Sequence, residues 1–241
     1  VFMQPEGIQE TVRRTKAVVF DLFHTLTAIE SSWGQGLPFT YEMLGVDRDA
    51  WDKQLNRYSR ARLAGEEQDS TRIVGRMARE INPDITDDTI QSAVTNRIKR
   101  FEAALLDIPI ETRAVLKTLK SQKKKLGLIS NADTMEVAAW GRSPIAGIFD
   151  VEIFSCHVGA VKPEKEIYEL CLSRLGVSSD EAIFVGDGGS SELQGARAVG
   201  LTTVMITGVI KELWPERIEE RKTDADFVIE QLTELVADED D

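Results

Sequence analysis

Apolar positions follow two rhythms along this chain. Ala17 to Phe20 form an unbroken apolar, partly β-branched run, the pattern of a strand buried on both faces of a parallel sheet. From Phe39 to about Leu106 nothing resembles a strand, and apolar residues recur at helical spacing over Asp49 to Ala64, Ser70 to Ile81 and Thr86 to Leu105. Asp49, Ser70 and Thr86 are the expected N-caps, and Asn82-Pro83-Asp84 breaks the last two helices apart. After Ile110 the two rhythms alternate. Helices are predicted at Glu111 to Ser121, Thr134 to Trp140, Lys165 to Leu175 (stopped by Gly176) and up to Ala198. Strands are predicted at Lys125 to Ile129, Phe149 to Ser155, Ala182 to Val185 and Thr202 to Ile206. Ala225 to Ile229 reads as an edge strand and Glu230 to Val236 as a last helix.

Alternating strands and helices predict an α/β fold, a Rossmann-like parallel sheet core with helices on both faces. An all-helical cap domain is inserted into it. Residues 1–15 read as a loosely held arm, residues 16–27 and 107–241 as the core, and residues 28–106 as the cap, entered through the Ser- and Gly-rich stretch Ala28 to Pro38. No internal repeat or low-complexity segment is visible.

Composition narrows the partners. A hydrophobic fraction of 42% with 29% charged residues is that of a soluble globular chain long enough to bury a core. Acidic residues outnumber basic ones 41 to 29, a net charge of −12, which argues against nucleic acid or an anionic membrane as partner. A phosphate bound here must be met locally, by a metal, a lysine or a helix N-terminus. Two cysteines, Cys156 and Cys171, are too few for a disulfide framework and lack metal-ligand spacing. With no membrane-length apolar run and a polar first fifteen residues, the expected location is cytoplasmic, the expected partner a small molecule, and the expected state a monomer or homodimer.

The chemistry lies at the ends of the strands. In an open parallel sheet, residues just beyond the strands' carboxyl ends share one crevice. Here those residues are Asp21, Ser130-Asn131, Lys162 and Asp187. A carboxylate beside so apolar a strand as 17–20 is costly unless a cation or donors meet it. Thr25, four residues on, is spaced to donate its hydroxyl to Asp21. Asp187 and Glu192 straddle a Gly-rich turn, and paired carboxylates of that kind suit Mg²⁺.

These four stretches, Asp21-Leu22-Phe23-His24-Thr25, Ile129-Ser130-Asn131, Val161-Lys162-Pro163-Glu164 and Val185-Gly186-Asp187-Gly188-Gly189-Ser190-Ser191-Glu192, resemble in order the motifs of the haloacid dehalogenase superfamily, mostly phosphate-transferring hydrolases. The resemblance covers Lys16 to about Ile206. It implies that Asp21 attacks phosphorus to form an aspartyl-phosphate, with Lys162 as the second catalytic group neutralising attacking carboxylate and phosphate. By the same resemblance Ser130, Asn131, Lys162 and Thr25 serve the phosphate. Mg²⁺ would be held by Asp21, the backbone carbonyl of Phe23, Asp187 and Glu192, the last directly or through water. Pro163 is expected at the first helical position, setting Lys162 at the mouth of the next helix.

One residue departs from the motif. Phe23 stands where the family's phosphatases carry a general acid, and phenylalanine can neither protonate a leaving group nor activate water. The aromatic residue resembles the 2-haloacid dehalogenases, whose halide leaves without a proton, while Asp187 and Glu192 fit a Mg²⁺-dependent phosphatase acting on a small phosphorylated metabolite. A silent phosphate-ester-binding module is a third reading. His24 and His157, the only histidines, both flank motifs and are candidates to replace the missing acid. Trp33, Tyr41, Arg57, Arg60 and Arg62 are cap candidates to face the crevice, and Trp51, Met77 and Phe101 are expected in the cap's own core.

Overall fold

Every side chain of strand β1 (Ala17–Phe20) is apolar and every one is buried, so the strand can only lie in the middle of a covered sheet. In the computed structural model, which describes residues 5–29 and 36–236, it is joined by β2 (Lys125–Ser130), β3 (Val151–Phe154), β4 (Ala182–Gly186), β5 (Thr202–Ile206) and β6 (Phe227–Ile229). The order is β3-β2-β1-β4-β5-β6 and every pairing is parallel. Phe20 stands opposite both Leu128 and Val185, so the carboxyl ends of the three central strands arrive level. Alternate residues face opposite sides. Val18, Phe20, Leu126, Leu128, Ile183 and Val185 pack towards one layer, and Ala17, Val19, Ile129, Ile153 and Phe184 towards the other.

The first layer holds α1 (Pro5–Arg14) and α7 (Ile110–Ser121), through Ile8, Val12, Leu116 and Leu119. From Pro5 on, the expected loose arm is therefore a packed helix, because Ile8 and Val12 share one face. The second layer holds α9 (Lys165–Leu175) and α10 (Glu192–Ala198), through Ile167, Tyr168, Cys171, Leu193 and Ala196. Between β1 and α7 lies the helical insertion: α2 (Thr40–Leu44), α3 (Arg48–Arg57), α4 (Ser59–Leu63), α5 (Ser70–Ile81) and α6 (Asp87–Leu106). Trp51, Val74, Met77, Ile90 and Val94 are the centre of a separate apolar cluster. Among the described residues no helix is long and apolar enough to cross a membrane.

Several local expectations are corrected. The helix expected over 49–64 is broken at Tyr58, and its cap is Asp47, whose carboxylate accepts the Ala50 N–H at 3.0 Å. Asp69, not Ser70, caps α5 in the same way on the Arg72 N–H, while Thr86 caps α6 as expected. The stretch 134–140 is a run of turns ending in a single 3₁₀ turn, Trp140–Arg142. Asp133 captures the N–H groups of Met135 and Glu136 at 2.9 and 3.0 Å, holding them in a turn. Glu234 likewise takes the N–H groups of Glu230 and Gln231, reducing the last expected helix to a 3₁₀ turn, Leu232–Leu235. Four short helices lie outside the predicted pattern: α2, α8 (Ser155–Val158), α11 (Gly208–Leu213) and α12 (Ile218–Arg221).

Candidate active site

The level strand ends deliver Asp21, Ser130, Asn131 and Asp187 to one cavity of about 310 Å³, and Lys162 enters from the loop before α9. Asp21 keeps its backbone in the sheet's hydrogen-bond ladder, its N–H donating to Val185 O at 2.9 Å. Its side chain is almost wholly buried. Lys162 donates to Asp21 Oδ1, and Thr25 Oγ donates to Oδ2 at 3.2 Å. Thr25 thus stands behind the carboxylate and does not border the cavity.

Lys162 Nζ also donates to Glu192 Oε2 at 2.5 Å, so one buried ammonium bridges two buried carboxylates. The other Glu192 oxygen accepts the Gly188 N–H at 3.0 Å. Both oxygens of Glu192 are thus engaged within the protein. Gly186 makes room for it: a Cβ there would come within 2.2 Å of Glu192 Oε1. Burial raises the carboxyl pKa of Asp21 and Glu192, with Lys162 opposing the rise in each. Burial alone would depress Lys162, but Asp21 and Glu192 hold its pKa above the ordinary lysine value.

Lys162 is held in place by Asn131, whose amide donates to Lys162 O at 2.9 Å and accepts the Lys162 N–H at 2.8 Å. That pair fixes the loop and leaves the amide's second N–H at the cavity that Asn131 borders. The Lys162–Pro163 peptide is cis, and α9 starts at Lys165 with Glu164 as its cap residue, so Pro163 precedes the helix instead of opening it. Ser130 Oγ is buried, borders the cavity, and has no hydrogen-bond partner. An orphaned hydroxyl at that depth fits an anionic oxygen.

One carboxylate oxygen from each of Asp21, Asp187 and Glu192 lies within 4.8 Å of the other two. These three carboxyl groups, gathered beside the buried Lys162 and the partly buried Arg221, are the kind of acidic cluster that suits a divalent ion. The donor set is all oxygen, as Mg²⁺ prefers, and the residues present fit that ion.

Phe23 forms part of the cavity wall, its ring edge-on to Phe101 at 5.4 Å. Phe101 thus packs against the core and not in the cap's apolar cluster, whereas Trp51 and Met77 lie in that cluster as expected. His24, with a left-handed φ of 64°, borders the cavity and sets its ring edge-on to Trp214 at 5.1 Å. His157 is exposed, lies against Phe154, and does not reach the cavity.

None of the described cap candidates borders this cavity. Arg62 is buried with Arg97 between Asp133 and Glu136, donating at 2.7 and 3.0 Å, an ion cluster joining α4 and α6 to the loop after β2. Arg57 pairs with Glu80 at 2.8 Å, Arg60 with Glu164 at 3.1 Å, and Tyr41 stacks on Phe39. Trp33 lies outside the described residues. Instead, the remaining wall comes from Trp214, Arg217 and Arg221, in the segment following β5. Arg221 Nη1 donates to Asp187 Oδ2 at 2.7 Å and to Asp187 O at 3.2 Å. No motif or periodicity marks that segment in the sequence.

Comparison with known proteins gives consistent results. The family model described as haloacid dehalogenase-like hydrolase matches residues 15–200. The glyceraldehyde 3-phosphate phosphatase of Methanothermobacter thermautotrophicus is 29% identical over 130 residues, 52% of this chain and 57% of that protein. The chain thus spans a little over half the length of that relative. A HAD phosphatase from Thermococcus onnurineus superposes with a TM-score of 0.59 at 25% identity, over 91% of this chain and 95% of the other. A 2-haloacid dehalogenase from Pseudomonas syringae pv. Tomato DC3000 gives 0.59 at 21% identity, over 92% and 96%, a likeness of fold alone.

Proposed function

This chain belongs to the haloacid dehalogenase-like hydrolases, and within that family we propose that it is a Mg²⁺-dependent phosphatase of small phosphorylated metabolites. The observation that carries this reading is the buried group Asp21, Asp187 and Glu192, each of which brings one oxygen within 4.8 Å of the others at the mouth of the strands. Two acids besides the nucleophile suit a divalent ion, which halide displacement does not require. Similarity to a named phosphatase supports the same side.

In this reading Asp21 is the nucleophile. Its carboxylate displaces the alkoxide from phosphorus, and water then hydrolyses the aspartyl-phosphate to return the free acid. Lys162, fixed by Asn131, neutralises the carboxylate and the arriving phosphate. Ser130 Oγ donates to a phosphoryl oxygen. Thr25 orients Asp21 from behind and makes no phosphate contact. Asp21, Asp187 and the Phe23 carbonyl would hold Mg²⁺, with Glu192 through water. The bound ion would supply charge neutralisation for the phosphoryl group. Of the two histidines only His24 borders the cavity, and it takes the role of proton donor that Phe23 cannot fill.

A second reading keeps one specific observation in its favour: the Phe23 ring against Phe101 gives the site an apolar wall of the kind a haloacid carbon would meet. The test is a screen of phosphate esters, acyl phosphates and 2-haloacids with and without Mg²⁺, using Asp21→Asn as the blank. Metal-dependent phosphate release supports the phosphatase, and metal-independent halide release replaces it with a dehalogenase. Ester binding without product points to a silent binding module.

A further inference from the structure

Arg221 is the feature of the site that the proposed chemistry leaves unused. It reaches the cavity from α12, well beyond the last motif, and its side chain is only 14% exposed. Its stem crosses over Gly188, where even a methyl group would approach Arg221 Cβ to 2.9 Å. The guanidinium ends on Asp187 Oδ2 at 2.7 Å, while Asp187 Oδ1 is occupied by the Gly189 N–H at 2.8 Å. Both oxygens of the carboxylate best suited to bind a metal are therefore already engaged, one of them by a full positive charge.

An ion ligated by Asp187 must compete for the oxygen that Arg221 holds, and it meets the repulsion of that guanidinium at close range. The Gly189 N–H is a backbone donor fixed in the turn, whereas the Arg221 guanidinium stands at the end of a long side chain and can swing away. The cavity into which it would swing is the one that Ser130 and Lys162 border. An arginine there meets a phosphate as a fork of donors.

We propose that Arg221 is a positioning residue that exchanges partners. It competes with the divalent ion for Asp187, and on displacement it turns to the phosphate, so that metal and phosphate bind with positive coupling. This rests on the proposed metal site.

Calorimetric titration of the whole chain with Mg²⁺ or Mn²⁺ alone, and with inorganic phosphate at saturating metal, tests it in the wild type, Arg221→Gln and Arg221→Lys. Loss of a charge-assisted bond to the ligand predicts metal binding tighter by roughly tenfold in Arg221→Gln. Phosphate binding should weaken by a similar factor, with Arg221→Lys between the two. A residue that merely braced Asp187 would give the opposite sign. Metal affinity that is unchanged or weaker in Arg221→Gln and Arg221→Lys, with the wild type binding normally, overturns the exchange alone. A wild type that binds no divalent ion overturns both the exchange and the metal-dependent reading.

Discussion

Replacing Lys162 by methionine should expose how the site is held together. The ammonium touches Asp21 and Glu192 at once, and all three groups are buried. Methionine keeps the volume and removes the charge, leaving two buried carboxylates about one another without a cation between them. Breaking a buried pair from one side costs about 3–5 kcal/mol, because the partner is left uncompensated. The carboxyls can escape part of that cost by binding protons. Their pKa values are already raised by burial above the ordinary 3.8 and 4.5, and losing Lys162 removes the main opposing influence. Each further unit of rise is worth about 1.4 kcal/mol.

The sign follows from linkage. A carboxyl whose folded pKa lies above its unfolded one favours the folded state below the unfolded value, and that advantage is lost as pH rises through the folded value. The variant should therefore lie closest to wild type near pH 5 and fall about 3 kcal/mol or more behind it near pH 8. Urea unfolding at the two pH values measures this. The double variant Lys162→Met, Glu192→Gln should regain part of the loss at the higher pH. A deficit independent of pH, or one below about 1 kcal/mol throughout, would refute the picture of Lys162 as the shared counter-ion.

Other expectations follow from single contacts. His24→Ala should lower kcat/KM for alkyl phosphates by about 10²-fold or more while sparing aryl phosphates, whose leaving group needs no proton; steady-state kinetics on both esters measures it, and equal losses would remove His24 as the donor. Arg62→Met should destabilise the chain by about 3 kcal/mol in urea at neutral pH, since Asp133 and Glu136 are buried and would keep only Arg97. Against burial, Arg97 and Arg62 hold the Asp133 carboxyl below its ordinary 3.8, so the stability it lends is present above that value and is lost as pH falls through the lower folded one. Burial pushes the Cys156 and Cys171 thiols up to about 11 and about 12, so a thiol reagent at neutral pH should label them only after unfolding, as a timed labelling assay would record.

What the sequence made legible was set by local pattern. Helix Ser70–Ile81, helix Lys165–Leu175 and strand Thr202–Ile206 match their apolar spacing to the residue. The meeting of residues 21, 130 and 187 follows from the parallel order of apolar strands, because level ends need no side-chain detail. Contacts made across the chain were not legible. Nothing near Arg62 in sequence announces Asp133, so an arginine of the helical insertion that was a candidate to face the crevice is one of four residues in a buried ion cluster. Thr25 was expected at the phosphate and at Asp21, and only the second contact is geometric fact. The segment 208–221 is short-helical, polar and without a period long enough to recognise, yet it brings Trp214, Arg217 and Arg221 into the cavity wall. The helix caps shifted to Asp47 and Asp69 because an aspartate outside the apolar rhythm competes well for the first free N–H groups.

The most direct measurement is peptide mass analysis of the chain, acid-quenched during turnover of a phosphate ester. A phosphoryl group on the peptide containing Asp21, present only with Mg²⁺ and absent in Asp21→Asn, is the predicted result. Turnover with no such adduct, or a carbon ester on that peptide formed from a 2-haloacid without metal, would contradict it.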